Sequence, residues 1–337
     1  MSDGQNLKPQ IDVVCIGNAI LDLLLEASED VLIKFSMTKG SMSLVDLETV
    51  DKIYKDLGPG IETSGGSAAN TAAGLALLGA RGAYIGKVHD DYMGRVFLKH
   101  IRSVGVEYST PVATKGPSTA CCLILVTPDA ERTMNTYLGA SADLDSTDID
   151  PLLICRSKIV YLEGYLWDRA LAKKAFLEAA RLANEAGIKV ALTLSDSFCV
   201  ERHRASFLNL IKNHVDILFA NESEIMSLYQ TDILEDAFEK VSNDCKIVAI
   251  TRSHKGSVVI NDSQKYYVKA EEVAEVIDTT GAGDQYAAGF LYGFIHNADL
   301  ITCAKIGSIT AAEVISHFGP RPNTNLIHKV NFVLNDC

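Results

Sequence analysis

The segment Asp278-Thr279-Thr280-Gly281-Ala282-Gly283-Asp284 joins a turn of small residues to an aspartate placed where a helical run begins. Such a turn presents backbone N–H groups to an anion, and a helix N-terminus adds the positive end of its dipole. Glycine lets a phosphate approach the main chain with no Cβ in the way. Asp284, beside that anion hole, is placed to take the proton of an attacking hydroxyl. Ala287, Phe290, Leu291 and Phe294 follow at spacings of three and four, which predicts a helix. This pattern reads as a phosphoryl-transfer site, against the plainer reading of a loop-to-helix junction. It is not the dinucleotide fingerprint, because Tyr286 stands at the third glycine position. Nor is it a P-loop, because no Lys-Ser or Lys-Thr follows the glycines.

Three further patterns place polar groups at strand ends or helix starts. Gly17-Asn18-Ala19-Ile20-Leu21-Asp22 follows an apolar run, and in open α/β sheets ligands bind beyond the carboxyl ends of strands. Asp22 there offers acceptors to a vicinal diol, or is a solvated turn residue. Gly65-Gly66-Ser67-Ala68-Ala69-Asn70 opens a helix of small residues; its glycines admit a ligand close to the backbone, and Asn70 both donates and accepts. Close helix packing would favour the same residues. Asn221-Glu222-Ser223-Glu224 sets an amide and a carboxylate three apart on one helical face. Magnesium keeps several waters and meets proteins through one or two carboxylates, so Asn221 and Glu224 suit its water shell. An N-cap asparagine with first-turn glutamates is the plainer alternative.

A base and an anion hole need a scaffold. From residue 158 onward, apolar runs at 158–162, 188–194, 215–220 and 246–252 alternate with helical stretches, including 169–186 closed by Gly187. Strands that are apolar throughout and separated by helices predict a parallel sheet covered on both faces, with Ile11–Ile16 as another member. Two stretches break the alternation. One is 22–62, with β-like pieces at 23–26 and 41–45. The other is 113–140, where 119–126 and 131–138 flank Thr127-Pro128-Asp129-Ala130 as a β-hairpin. We expect the two to form a small sheet over the ligand edge, since phosphoryl transfer requires water to be kept out.

The net charge of −12 argues against a nucleic-acid binder or an anionic-membrane binder, both of which need a basic face. A local pocket can still hold a phosphorylated ligand. The eight cysteines form no Cys-x-x-Cys pair, so no structural zinc is expected, and free thiols suit a reducing cytoplasm. Residues 1–6 are polar and lack the apolar core of a signal peptide. Residues 63–80 carry no charge, but their polar residues and glycines read as a packed helix rather than a membrane span. The expectation is a cytoplasmic protein with a small-molecule partner, monomeric or homodimeric, binding neither nucleic acid nor membrane.

With Gly65-Gly66, Asn221-x-x-Glu224 and 278–284 in this order, the chain resembles the PfkB/ribokinase family of carbohydrate and nucleoside kinases over essentially its whole length. The Gly65-Gly66 segment is similar to the family's first signature, 278–284 to its second, and 221–224 to its Asn-x-x-Glu motif. The resemblance implies an α/β, ribokinase-like three-layer sandwich with a mostly parallel central sheet and a small β-sheet lid. The large domain would comprise 1–21, 63–112 and 141–337, and the lid 22–62 and 113–140. It implies ATP as donor with magnesium, Asp284 as catalytic base, and Gly281, Ala282 and Gly283 as the anion hole. Asn221 and Glu224 would order the magnesium–phosphate water shell.

Within the family the adenosine kinases are most alike, since 17–22 is similar to their Gly-Asn-Pro-Leu-Leu-Asp and 215–222 is nearly their counterpart. That likeness implies Asn18, Asp22, Gly65, Gly66, Ser67 and Asn70 around the ribose, and Arg132 reaching the transferred phosphate. Phe198 would stack on the base, with Met134, Thr136, Leu138 and Tyr165 lining the rest of its pocket. The chain departs from the pattern at Thr136, where a smaller residue is usual, and at Gly164-Tyr165-Leu166, which replaces Gly-Phe-Phe. For the donor, the likeness implies Asn221, Thr251, Arg252, Lys255, Gly256, Thr280, Gly281, Gly283 and His317. The helix through 311–317 and the turn Gly319-Pro320-Arg321-Pro322 would flank the adenine. Potassium would sit near Asp278 and Thr280. The implied reaction is transfer from ATP to the 5′-hydroxyl of adenosine. A sugar such as ribose or fructose is the rival acceptor, and a non-catalytic nucleoside sensor is the rival of another class.

Overall fold

The computed structural model describes residues 10–129 and 131–335. The N-terminal segment 1–6, Ala130 of the hairpin turn and Cys337 therefore lie outside the described residues. Strand β1 (Ile11–Ile16) is buried at every position, as an unbroken apolar run requires of a strand covered on both faces. The chain then enters a second sheet through β2 (Ile20–Glu26), β3 (Met42–Leu44) and β4 (Ile61–Gly65). It returns as β5 (Gly82–Ile85) and β6 (Glu107–Tyr108), and leaves again for β7 (Ala120–Val126) and β8 (Arg132–Tyr137). Next, β9 (Ser157–Glu163), β10 (Lys189–Thr193), β11 (Ile217–Asn221) and β12 (Ile247–Thr251) alternate with helices. β13 (Ser257–Asn261) and β14 (Gln264–Val268) complete the large sheet.

That sheet has nine strands in the order β14-β13-β12-β11-β10-β9-β1-β5-β6. It is parallel from β6 to β12 and antiparallel at β13 and β14. Alternation along the strands sorts its side chains into two layers. Val14, Val160, Val190 and Leu218 pack with the helices Ala170–Glu185, Ser197–His214 and Leu234–Asp244. Val13, Tyr161, Ala191 and Phe219 pack with the helices Ser67–Leu77, Ala282–Ile295 and Leu300–Val314. The fold is thus an α/β three-layer sandwich with a mostly parallel central sheet.

The second sheet has five strands in the order β3-β8-β7-β2-β4. Leu21, Leu23, Leu123 and Leu125 form its own core with Val50 and Ile53 of the helix Leu47–Leu57. The sheet begins at Ile20 and draws in Gly65, so it extends past both ends of the expected segment 22–62. The reason is register: Ile20 pairs with Ala120 on one side and Gly65 on the other. Among the described residues no helix is long and apolar enough to cross a membrane.

Candidate active site

Asp284 lies in the first turn of the helix Ala282–Ile295, half-buried against the helix Ser67–Leu77 beside it. The two helices approach closely because both are built of small residues: a Cβ on Gly74 would stand 2.9 Å from that of Ala288. This contact brings Ser67 and Asn70 onto the aspartate. Ser67 Oγ donates to one carboxylate oxygen at 2.6 Å, and Asn70 Nδ2 donates to the other at 3.1 Å. Burial pushes the Asp284 pKa up, while the bonds from Ser67 and Asn70 and the charge of Arg321 pull it back. An ionised carboxylate only accepts hydrogen bonds, so donors on both oxygens suit the basic form.

The loop before Asp284 is braced by Asp278. Its carboxylate accepts from the Thr280 backbone N–H at 3.0 Å, from Thr280 Oγ1 at 2.7 Å and from the Gly319 N–H at 2.8 Å. Arg132, from β8 of the second sheet, forms an ion pair with the same carboxylate at 2.9 Å and lies over the Phe318 ring. With that carboxylate so occupied, a cation at Asp278 and Thr280 would be left to backbone carbonyls. Gly281 caps the helix at φ +78°, a conformation that favours glycine. The Ala282 N–H donates to the Thr279 carbonyl at 3.2 Å. Among the described residues, the N–H groups of Gly281, Gly283 and Asp284 have no hydrogen-bond partner. The open donors therefore centre on Gly281 and Gly283, and Ala282 is drawn back into the turn.

Asp22 stands on the face of the second sheet opposite its leucine core, in a row with Cys122 and Thr136. It is buried, and among the described residues its carboxylate accepts no hydrogen bond. Burial pushes its pKa up to about 7, the positive charge of Arg321 opposes that, and Asp284 adds to it. A Cβ at Gly65 would lie 2.0 Å from Asp22 Oδ2, so only glycine fits there. Gly66 caps the helix Ser67–Leu77. Asn18 is buried with both ends of its amide engaged, donating to Glu163 Oε1 at 2.7 Å and accepting from Ser141 Oγ at 2.9 Å. It shapes the loop between β1 and β2 rather than offering a free side chain to a ligand.

On the proposed donor side, Asn221 and Glu224 form a reciprocal cap. The Asn221 side chain accepts from the Glu224 N–H at 2.9 Å, while Glu224 accepts from Asn221 N at 3.0 Å and Nδ2 at 2.7 Å. This is the capping arrangement weighed as the plainer reading, and it buries Glu224, whose pKa rises to about 7. With its oxygens so engaged, the pair fits a magnesium ion through water. Arg252 is paired with Glu222 at 2.7 Å, whereas Lys255 is exposed. Thr251 Oγ1 donates to the Ala220 carbonyl at 3.4 Å, and Gly256 closes the turn into β13. His317 lies 3.3 Å from Glu313.

The expected base pocket is only partly gathered. Arg132, Met134 and Thr136 share the face of β8 that carries Asp22 across the sheet. A cleft of about 430 Å³ opens beside Thr136 and Leu138. Tyr165 instead stands among the acidic groups, close enough to feel Asp196, Glu224 and Asp284, and burial pushes its phenol well above the usual range. Phe198 is 70% exposed and does not line that cleft.

The sequence pattern of the pfkB family carbohydrate kinases matches residues 58–326. The chain belongs to that family. A 5-dehydro-2-deoxygluconokinase of Halalkalibacterium halodurans is 30% identical over 268 residues, covering 75% of this chain and 79% of that one. Among solved structures, a "probable sugar kinase protein" from Rhizobium etli is 46% identical with a TM-score of 0.90, covering 96% of this chain and 98% of its own. An adenosine kinase from Sinorhizobium meliloti is 45% identical with a TM-score of 0.90, covering 96% and 99%. The kinase is accordingly a phosphotransferase acting on an alcohol group of a small molecule, with ATP as donor.

Two residues of the kinase carry more of the site than their sequence context signals. Glu163, at the end of β9, accepts from the Asn18 N–H at 3.2 Å and from the Ala68 N–H at 2.8 Å. It ties the loop between β1 and β2 to the start of the Gly-Gly helix, and burial pushes its pKa up to about 7. A charged residue closing an apolar strand was its only mark. Arg321 lies in the turn expected beside the donor adenine, and that turn packs under the glycine loop before Asp284, with the Pro320 carbonyl accepting from Gln285 at 3.0 Å. Its guanidinium reaches Ser64 and Asn70.

Proposed function

We propose that this kinase transfers the γ-phosphoryl group of ATP to the 5′-hydroxyl of adenosine, giving AMP and ADP. The observation that carries the reading is the placement of two carboxylates, the buried Asp22 and the half-buried Asp284, close enough to influence one another. Asp22, without a partner on its own chain, suits the 2′- and 3′-hydroxyls of a ribose, and its bonds to them would lower its raised pKa. Asp284, held by Ser67 and Asn70, then meets the 5′-hydroxyl. The hydroxyl oxygen forms the new bond to phosphorus as its proton passes to Asp284. The bond from phosphorus to the bridging oxygen breaks, and ADP leaves. The open N–H groups of Gly281 and Gly283 receive the developing charge, with Arg132 approaching from the lid sheet. Asn221 and Glu224 would hold the waters of a magnesium ion entering with ATP, which when bound screens the phosphate charge. Positioning and electrostatics dominate such a loose transition state. The purine preference is supported by the likeness to the Sinorhizobium meliloti enzyme over nearly the full length of both chains.

A sugar or sugar-acid acceptor is the second reading. The exposure of Phe198 favours it, because that ring does not form a wall for a base. Measuring ADP release and product mass with adenosine, guanosine, inosine, ribose, fructose and 5-dehydro-2-deoxygluconate decides between them. AMP formed from adenosine, with kcat/KM at least ~10²-fold above the sugars, supports the nucleoside assignment. Preference for a sugar discards it and leaves the chemistry at Asp284 in place.

A further inference from the structure

Arg321 is half-buried at the edge of the proposed acceptor site, with one guanidinium nitrogen wholly shut off from solvent, and such a group must be matched by acceptors or by charge. Its Nε–H donates to Asn70 Oδ1 at 3.2 Å, and its Nη1 donates to Ser64 Oγ at 2.7 Å. Its Nη2 is buried without a hydrogen-bond partner. An arginine can only donate, so the Asn70 end that faces it must be the oxygen. The amide nitrogen is then turned toward Asp284, which needs a donor. We propose that Arg321 is a positioning residue of the kinase: it fixes the Asn70 carboxamide in the orientation that donates to Asp284, and it supplies the positive charge that balances Asp22 and Asp284.

The charges around Asp284 make the second role necessary. Asp284 opposes the ionisation of Asp22 on β2 and of Glu163 on β9, so three acidic groups crowd one another. The phenols of Tyr161 and Tyr165 add no positive charge at neutral pH. Arg132 stands near Asp22 but is already paired with Asp278. Arg321 is the cation whose charge acts on both Asp22 and Asp284. Its own pKa is lowered to about 10 by burial, so it stays protonated at neutral pH. Ser64 also donates its N–H to His100 Nδ1 at 3.3 Å, and the Arg321 charge helps to hold that imidazole neutral.

This inference rests on the kinase reading of Asp284 and not on the identity of the acceptor. The test compares the wild type with Arg321→Gln and Arg321→Lys, using whichever acceptor the wild type turns over. Carbon-13 carboxyl titrations of Asp22 and Asp284 serve as a readout that needs no turnover. In folded Arg321→Gln, both carboxyl midpoints and the acid limb of kcat/KM should rise by about one pH unit, so activity below the limb falls about tenfold. Midpoints that stay where the wild type has them overturn the charge role. Arg321→Lys keeps the charge, so its acid limb should stay near that of the wild type. A single ammonium cannot reproduce the fork to Asn70 and Ser64, and kcat should fall by about tenfold. Wild-type kcat in Arg321→Lys overturns the orienting role. If Arg321→Gln does not fold, the lysine variant's limb decides the charge role: a limb displaced as far as one pH unit overturns it. A wild type that prefers a sugar removes the nucleoside assignment and leaves these comparisons intact.

Discussion

Arg132 and Asp278 meet at 2.9 Å, with the arginine on the second sheet and the aspartate at the start of the glycine loop that leads to Asp284. Both side chains are nearly buried, so the pair couples the position of that sheet to the shape of the loop. Truncating one partner of a buried pair leaves the other charge uncompensated. For Arg132→Ala we expect a lower melting temperature and a kcat reduced by at least ~10-fold, with the KM for ATP changed less. Steady-state kinetics and thermal melts measure this, and wild-type kcat in a folded variant would disconnect the sheet from catalysis.

Asp284→Asn keeps the size of the side chain and lets its oxygen still accept from Ser67. Loss of a catalytic base costs about 10²–10⁴-fold, so turnover should fall in that range with the fold retained. Initial rates alongside circular dichroism make the comparison. Turnover within a few-fold of the wild type would move the base elsewhere.

Activity should decline as pH falls through neutrality. Asp22 is pushed up to about 7 in the free kinase, and Asp284 is also raised. Both act as carboxylates, so protonation removes function, and kcat/KM reports the free enzyme. A profile of kcat/KM from pH 5 to 9 should show an acid limb near 7. A flat profile down to pH 5 would place both groups in the ordinary carboxylate range.

The same shift has a consequence for stability, of opposite sign. A carboxyl whose folded pKa is raised contributes stability that is fully present below its unfolded value of 3.8 and lost as pH rises through about 7. Asp22→Asn removes that dependence. Its melting temperature should therefore change less between pH 5 and pH 8 than that of the wild type. Parallel melts at the two pH values test this, and equal slopes for the two proteins would count against it.

Gly65→Ala introduces a Cβ 2.0 Å from Asp22 Oδ2, which forces the carboxylate or the strand to move. The acceptor KM should rise by about tenfold while the KM for ATP holds, because a misplaced binding group mainly loses ground-state affinity. An acceptor KM that does not change would show that Asp22 does not hold the acceptor.

Much of this architecture was legible because each layer repeats one rule. The apolar runs at 158–162 and 246–252 became β9 and β12 to within one residue at each end, since strands covered on both faces carry no competing signal. Gly281 and Asp284 were readable for the same reason: few structures other than a helix N-terminus use that spacing. The second sheet's limits were less legible, because Ile20 and Gly65 take their place from cross-strand partners more than 40 residues away. The capping geometry of Asn221 and Glu224 was visible as one of two readings, and the local hydrogen bonds realise the plainer one. The contacts of Arg321 were not legible because nothing near it in sequence marks its partners. Those partners, Ser64 and Asn70, lie some 250 positions earlier.

That separation bears on how the molecule is made. The bonds of Arg321 to Asn70 and Ser64 span 251 and 257 positions, and those of Asp284 to Ser67 and Asn70 span 217 and 214. Contacts of such range close late and slowly, after the locally paired strands have formed. During synthesis the lid sheet and the first half of the large sheet can fold before these residues leave the ribosome. On the role proposed for Asp284, a nascent chain would be unable to consume ATP until the helix Ala282–Ile295 has docked on the helix Ser67–Leu77, so catalytic competence would itself report that folding is complete.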